Sequence, residues 1–216
     1  MSNPTEFVDV LREGNVKKAE KFIEQYNIDV NASIFPSTHA CGFYPAICAA
    51  SEIGNLKMIK LLVKQGADID ATIGTTGMSA LYIACQEGHL SIVIFLVDEG
   101  ADLDTLTTNE TPFSPLHIAV QFGYKDIVKH LVENNANIDI ENSESGATPL
   151  LLSITTSNEQ ITKYLIESGA NILLCNKKGM SPLMAACSNG LELTVKLLLN
   201  AEKKKSNEVS KLFFAR

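Results

Sequence analysis

The residues best able to do chemistry are few and badly spaced for it. His39, Cys41 and Cys48 offer three soft donors, but His-x-Cys-x6-Cys lacks the fourth ligand and the finger spacing of a closed zinc site, so no metal is expected. With Cys85, Cys175 and Cys187 they complete an odd set of five cysteines without paired spacing, and reduced structural thiols fit that set. Asp98, Glu99, Asp102 and Asp104 supply carboxylates, yet they sit in a turn-rich stretch, whereas acid and base work needs a pair held in a desolvated cleft. No P-loop, GxGxxG, HExxH, GxSxG or CxxC pair occurs. No catalytic residue and no cofactor are expected. Asn31-Ala32-Ser33 and Asn109-Glu110-Thr111 match the glycosylation sequon, but no secretion signal accompanies them.

The elements that would position any site repeat along the chain. From Gly77 to Asp104 the sequence reads as two short helices: Ser79 can cap the first, Leu81, Ala84 and Cys85 share one face, and Gly88 ends it. In the second, Ile92, Val93, Leu96 and Val97 form an apolar stripe closed by Gly100. Helices of two turns are marginal alone and need copies to stack upon. Gly54, Gly88, Gly123, Ser157 and Gly190 mark those copies, in steps of 34, 35, 34 and 33 residues. The stripe moves in register, to Met58, Ile59, Leu62 and Val63, to Ile127, Val128, Leu131 and Val132, to Ile161, Thr162, Leu165 and Ile166, and to Thr194, Val195, Leu198 and Leu199.

On these residues the chain resembles the ankyrin-repeat family, whose unit of about 33 residues opens on T-P-L-H-x-A. Ser114-Pro115-Leu116-His117-Ile118-Ala119 nearly reproduces that opening, and Thr148-Pro149-Leu150 and Ser181-Pro182-Leu183 keep its first three positions. Gly66-Ala67-Asp68, Gly100-Ala101-Asp102 and Gly169-Ala170-Asn171 look like the unit's ending. The resemblance implies an all-α solenoid of about six helix-turn-helix units, four or five of them well matched, joined by β-hairpin-like loops. It also implies that His117 is structural, its imidazole bonding neighbouring backbone.

One domain is expected over 1–216, with units near 4–32, 43–73, 77–108, 112–142, 146–176 and 179–202 and a tail over 203–216. The first unit carries Lys17, Lys18, Glu20, Lys21 and Glu24 on its outer positions, as a terminal cap requires. Gly14 to Gly54 spans 40 residues, about six more than the next step, and the excess falls in Ser33 to Gly42. Pro45 stands one place early, predicting an irregular helix start. In the 146–176 unit Ser153-Ile154 replaces the usual alanine pair and Ser157 the glycine, predicting local looseness. The array is expected to stop at Asn200-Ala201-Glu202, with Ser206 to Arg216 folding back as a short amphipathic helix.

A net charge of −7 and a pI near 5.1 argue against nucleic acid and anionic membrane as partners. No apolar run approaches the roughly 18 residues that span a bilayer. A monomer in the cytoplasm or the nucleus is expected. The resemblance implies that a partner protein, with a basic or mixed-charge surface, lies along the concave side made by hairpin tips and exposed first-helix positions. Carried onto this chain, those positions are Tyr44, Glu52, Ile53, Met78, Gln86, Glu87, Glu110, Phe113, Gln121 and Phe122. The expected function is non-catalytic protein binding. The alternatives are a regulatory subunit or inhibitor of an enzyme, and the repeat portion of a larger multidomain protein.

Overall fold

The structure, a computed structural model, describes residues 4–34 and 43–214. Residues 35–42, which hold His39, Cys41 and most of the Ser33 to Gly42 insertion, lie outside them. Among the described residues twelve helices follow one another in pairs: α1 (Pro4–Arg12) with α2 (Val16–Tyr26), α3 (Ala46–Ile53) with α4 (Leu56–Lys64), α5 (Ala80–Gln86) with α6 (Leu90–Asp98), α7 (Pro115–Phe122) with α8 (Lys125–Glu133), α9 (Pro149–Thr155) with α10 (Glu159–Glu167), and α11 (Pro182–Ser188) with α12 (Glu192–Phe214). This is the all-α repeat fold expected.

The chain divides into two compact units, Met1–Ile118 and Ala119–Arg216. Within the first, α1, α3 and α5 pack side by side in one layer and α2, α4 and α6 in another. Within the second, α9 lies beside α11, and α8, α10 and α12 form the companion layer.

Local chemistry fixes each boundary. Ser79, Thr148 and Ser181 cap first helices by accepting from the backbone N–H three residues on, at Tyr82, Leu151 and Met184. Asn15, Asn55 and Asn158 do the same for second helices. Pro45 takes the cap position of α3 without a side-chain bond, which is the irregular start its displacement predicts.

Glycine ends the first helices for two reasons. Gly54 has φ +77°, and the His89 ring packs so closely over it that a Cβ there would lie 2.7 Å from the ring. Gly123 has φ +77° and sits under the Asn158 amide in the same way, with 2.9 Å for a Cβ.

In the four stripes from Met58 to Ile166 the first three positions are buried, as at Ile92, Val93 and Leu96, while in the last Thr194 and Leu198 are buried, Val195 is half-buried and Leu199 is exposed. The fourth, Val63, Val97, Val132 or Ile166, stays half-buried. At 100° per residue Val97 stands about 140° round the helix from Ile92, at the margin of the packed face.

Successive turns are tied by side chains. Asn31 Nδ2 donates to the Gly66 carbonyl while its Oδ1 accepts from Asp68 N. Asp70 Oδ1 accepts from Asp102 N, and Asp139 Oδ1 from Asn171 N. Thr105 Oγ1 donates to Asp102 at 2.6 Å, and with the Asp104 N–H it holds the Asp102 carboxyl below its ordinary range. At three of the steps the inter-helix loops add a backbone bond, Gly74 N to Phe43 O, Thr108 N to Thr76 O and Lys177 N to Ser145 O. Two isolated antiparallel bridges, Ser33 with Pro45 and Thr72 with Ser79, give these loops their hairpin character.

In the 146–176 unit the departures from the pattern compensate each other, and in the tail an expectation is corrected. Ser153 Oγ donates to Leu150 O at 2.8 Å and faces Thr162 Oγ1 at 2.8 Å, both residues buried, and Ser157 takes the left-handed conformation at φ +56° that glycine takes elsewhere. The tail does not fold back as a separate helix: α12 runs unbroken from Glu192 to Phe214, about 35 Å at 1.5 Å per residue. Ala201-Glu202-Lys203 supplies helix formers where the other units place a left-handed glycine or asparagine, as at Gly100 and Asn135, so nothing stops the helix there.

Candidate protein-binding surface

The expected binding positions are placed by first-helix ends and by the loops before them. In the first unit the Tyr44 hydroxyl donates to Glu52 Oε2 at 2.7 Å, holding that carboxylate at the exposed end of α3 beside Ile53, whose side chain is 43% exposed. Met78 is half-buried in the loop before α5. At the end of α5 the Gln86 amide donates to Glu87 Oε1 at 3.2 Å, and Glu87 is exposed. Glu110 is exposed ahead of α7.

Phe113, ahead of α7, is only partly exposed. Its ring is half-buried and stacked on the His117 imidazole, centroids 5.3 Å apart and planes within 7° of parallel. His117 is itself fully buried, its Nδ1 accepting from Ser114 N at 3.3 Å and facing Ser114 Oγ at 2.9 Å. The family's opening histidine is therefore structural here, and it ties Phe113 to the fold. In the second unit Gln121 and Phe122 are exposed at the end of α7. Phe122 is 52% exposed, and its ring lies 6.1 Å from Tyr124.

The electrostatics of these positions follow from a feature that residue-by-residue reading passes over. Between Lys64 and Lys125 the sequence has no lysine or arginine, while Asp68, Asp70, Glu87, Asp98, Glu99, Asp102, Asp104 and Glu110 all fall there. In the first unit the lysines sit on α2 and α4 alone. A count of charge along the sequence is enough to find this.

The buried thiols are structural. Burial pushes Cys48 up from 9.0 to about 12, helped by the Glu52 carboxylate, and its Sγ faces the carbonyls of Ala71 and Met78. Cys85, fully enclosed, is raised by burial as well. Burial raises Tyr82 from 10.0 to about 12, with Cys85 contributing. Neutral, unreactive groups of this kind pack helices together and offer no nucleophile.

A family profile described as ankyrin repeats matches the sequence in three overlapping copies, residues 8–107, 47–142 and 116–209. The chain belongs to the ankyrin-repeat family, a family of protein-interaction modules. It is also similar to protein phosphatase 1 regulatory subunit 27 of Mus musculus and of Homo sapiens, 36% identical to each over 85 residues. That alignment takes in 39% of this chain and 51% of each relative, so the chain spans about half the length of the curated relatives it matches. Among the described residues no helix is long and apolar enough to cross a membrane.

Proposed function

We propose that this protein is a non-catalytic binding module, folded as one domain over 1–216, that takes a partner protein on its first-helix ends and loop tips. The observation that carries this reading is the lysine-free and arginine-free stretch from residue 65 to residue 124, which exposes Glu87 and Glu110 at binding positions. In the first unit a partner with Lys or Arg beside an apolar group complements Glu52, Glu87 and Glu110 with Ile53, and in the second the exposed Phe122 is the proposed aromatic anchor. The free thiols of Cys48, Cys85, Cys175 and Cys187 support a reducing compartment, the cytoplasm or the nucleus.

A narrower reading has its own support. Both relatives are named as regulatory subunits of protein phosphatase 1, which favours an enzyme as the partner, with this chain as a regulatory subunit. Titrating the full chain into a protein phosphatase 1 catalytic subunit, by calorimetry at two salt concentrations, tests both. Binding that Glu87→Lys and Phe122→Ala each weaken by about tenfold or more supports the surface and the narrower reading. Absence of binding removes the phosphatase and leaves the surface to be tested on partners captured by wild type and lost by both variants. Captured partners that both variants retain would overturn the surface itself.

A further inference from the structure

The repeat frame picks out one outward position on the second helices. Lys60, Lys129, Lys163 and Lys196 hold it on α4, α8, α10 and α12, all exposed, so the common residue there is a cation in water. On α6 the same position is Ile94, 37% exposed and next to the half-buried Phe95. The core does not require an isoleucine there, because the buried stripe of α6 runs through Ile92, Val93 and Leu96. On α4, packed beside α6 in the same layer, Lys57, Lys60 and Lys64 are all exposed and share one face. Lys60 Nζ stands 5.2 Å from the centroid of the Phe95 ring, a cation held at the edge of the apolar side chains. Lys64 lies 3.5 Å from Glu20, whereas Lys57 and Lys60 have no carboxylate partner among the described residues. Asp98, a turn beyond Ile94, is the sole carboxylate of α6.

We propose that the outer face of α4 and α6 is a second docking surface, taken by an acidic amphipathic segment of a partner protein. An apolar side chain of that segment covers Ile94 and Phe95, and carboxylates one helical turn apart on it meet Lys57 and Lys60, which are one turn apart on α4. Charge complementarity selects the occupant: this face offers two ammonium groups beside an apolar pair, the reverse of the first-helix ends, where Glu52, Glu87 and Glu110 call for a cation. An anionic bilayer is disfavoured, since two ammonium groups are a small positive footprint on a protein of net charge −7. The surface lies on second helices and the proposed binding positions on first-helix ends and loops, so neither reading depends on the other.

The probe is a labelled helical peptide with Leu along one face and Glu at turn spacing along its border, titrated with the full chain and read by fluorescence anisotropy. The same peptide with Gln for Glu, and vesicles containing phosphatidylserine, are run beside it. The Glu peptide should bind, and the Gln peptide about tenfold or more weakly. Ile94→Lys, which installs the residue of the other units, and Lys57→Glu with Lys60→Glu should each weaken the Glu peptide by about tenfold or more, while Phe122→Ala leaves it within about threefold. Thermal melts check the fold, and Lys57→Glu alone, away from the Phe95 ring, replaces the double variant if the latter melts early. No binding of the Glu peptide at about 1 mM chain, equal binding of the Gln peptide, or an affinity indifferent to Ile94→Lys would each overturn the proposal. Loss of the peptide in Phe122→Ala would place it on the first-helix ends, and binding of vesicles without the peptide would give the face to a membrane. Either result would overturn the proposal as well.

Discussion

Phe113 and His117 form one stacked unit, the ring of the former lying 5.3 Å from a fully buried imidazole that is fixed by Ser114. Replacing Phe113 therefore disturbs a core contact as well as a proposed binding position. Phe113→Ala should cost about 1 to 2 kcal/mol of stability, and Phe122→Ala, at a 52% exposed position, about 0.5 kcal/mol or less. Leu131→Ala, at a fully buried stripe position, should cost about 2 to 5 kcal/mol. Denaturant midpoints order the three variants. If Phe122→Ala is as damaging as Leu131→Ala, its ring belongs to the core and not to a docking surface.

Gly54 lies directly beneath His89, and two separate costs meet there. Gly54→Ala must place a Cβ at φ +77° and push the ring away from a 2.7 Å contact, whereas Gly66→Ala, at φ +86° with no atom within 4 Å of the new Cβ, meets the backbone strain alone. The first should lose about 1 kcal/mol or more beyond the second, and His89→Ala in the Gly54→Ala background should return part of the difference. Equal losses at the two glycines would show that the ring moves aside freely.

The repeat period, the helix caps and the buried stripe are legible in the sequence because each depends on residues within one or two turns of one another. Asn55, Ser79 and Gly88 announce helix ends without reference to anything distant. The binding positions are legible only as register, since the frame says that Phe113 precedes a first helix but not that its ring turns onto His117. Side-chain partnership between elements is what local reading lacks. Ser51 is an example: it occupies the position of Cys85 and Val120, and its hydroxyl is buried with no hydrogen-bond partner among the described residues. Ser51→Ala should raise stability by about 1 kcal/mol, read as a higher denaturant midpoint. A loss would mean the hydroxyl is bonded after all.

Ser153 and Thr162 each break the repeat pattern, and they break it together. Where the other units have alanine and an aliphatic residue, as at Ala84 with Val93 and Ala119 with Val128, this one has two hydroxyls 2.8 Å apart. Each hydroxyl also has a local carbonyl, Leu150 O for Ser153 and Asn158 O for Thr162, so neither single replacement strands a donor. Ser153→Ala and Thr162→Val should each change stability by about 1 kcal/mol. The double variant, which restores the common pattern, should stay within about 1 kcal/mol of wild type, with a coupling of about 0.5 to 1.5 kcal/mol in the cycle. Strict additivity would show that the hydroxyls are neighbours without an interaction.

Cys48 and Cys85 make stability fall in alkali. Burial raises Cys48 from 9.0 in the unfolded chain to about 12 in the folded one, and raises Cys85 in the same direction. Below pH 9 both states carry the proton and stability is unaffected. Above it the unfolded chain releases the proton while the folded chain keeps it, so stability drains away as pH rises from 9 toward 12. One pH unit above the unfolded value, each thiol should have withdrawn about 1 kcal/mol. Tyr82, raised from 10.0 to about 12, adds to the slope above pH 10. Denaturant titrations at pH 8, 9 and 10 measure it, and Cys48→Ala should flatten the fall relative to wild type whatever its effect at pH 8. Thiol labelling supplies an independent reading: at pH 8 the exposed Cys175 and Cys187 should react in the folded protein, and Cys48 and Cys85 only on unfolding. Rapid labelling of Cys85 in the native state would show that α5 opens locally, and the burial that sets these shifts would then be too transient to produce the alkaline slope.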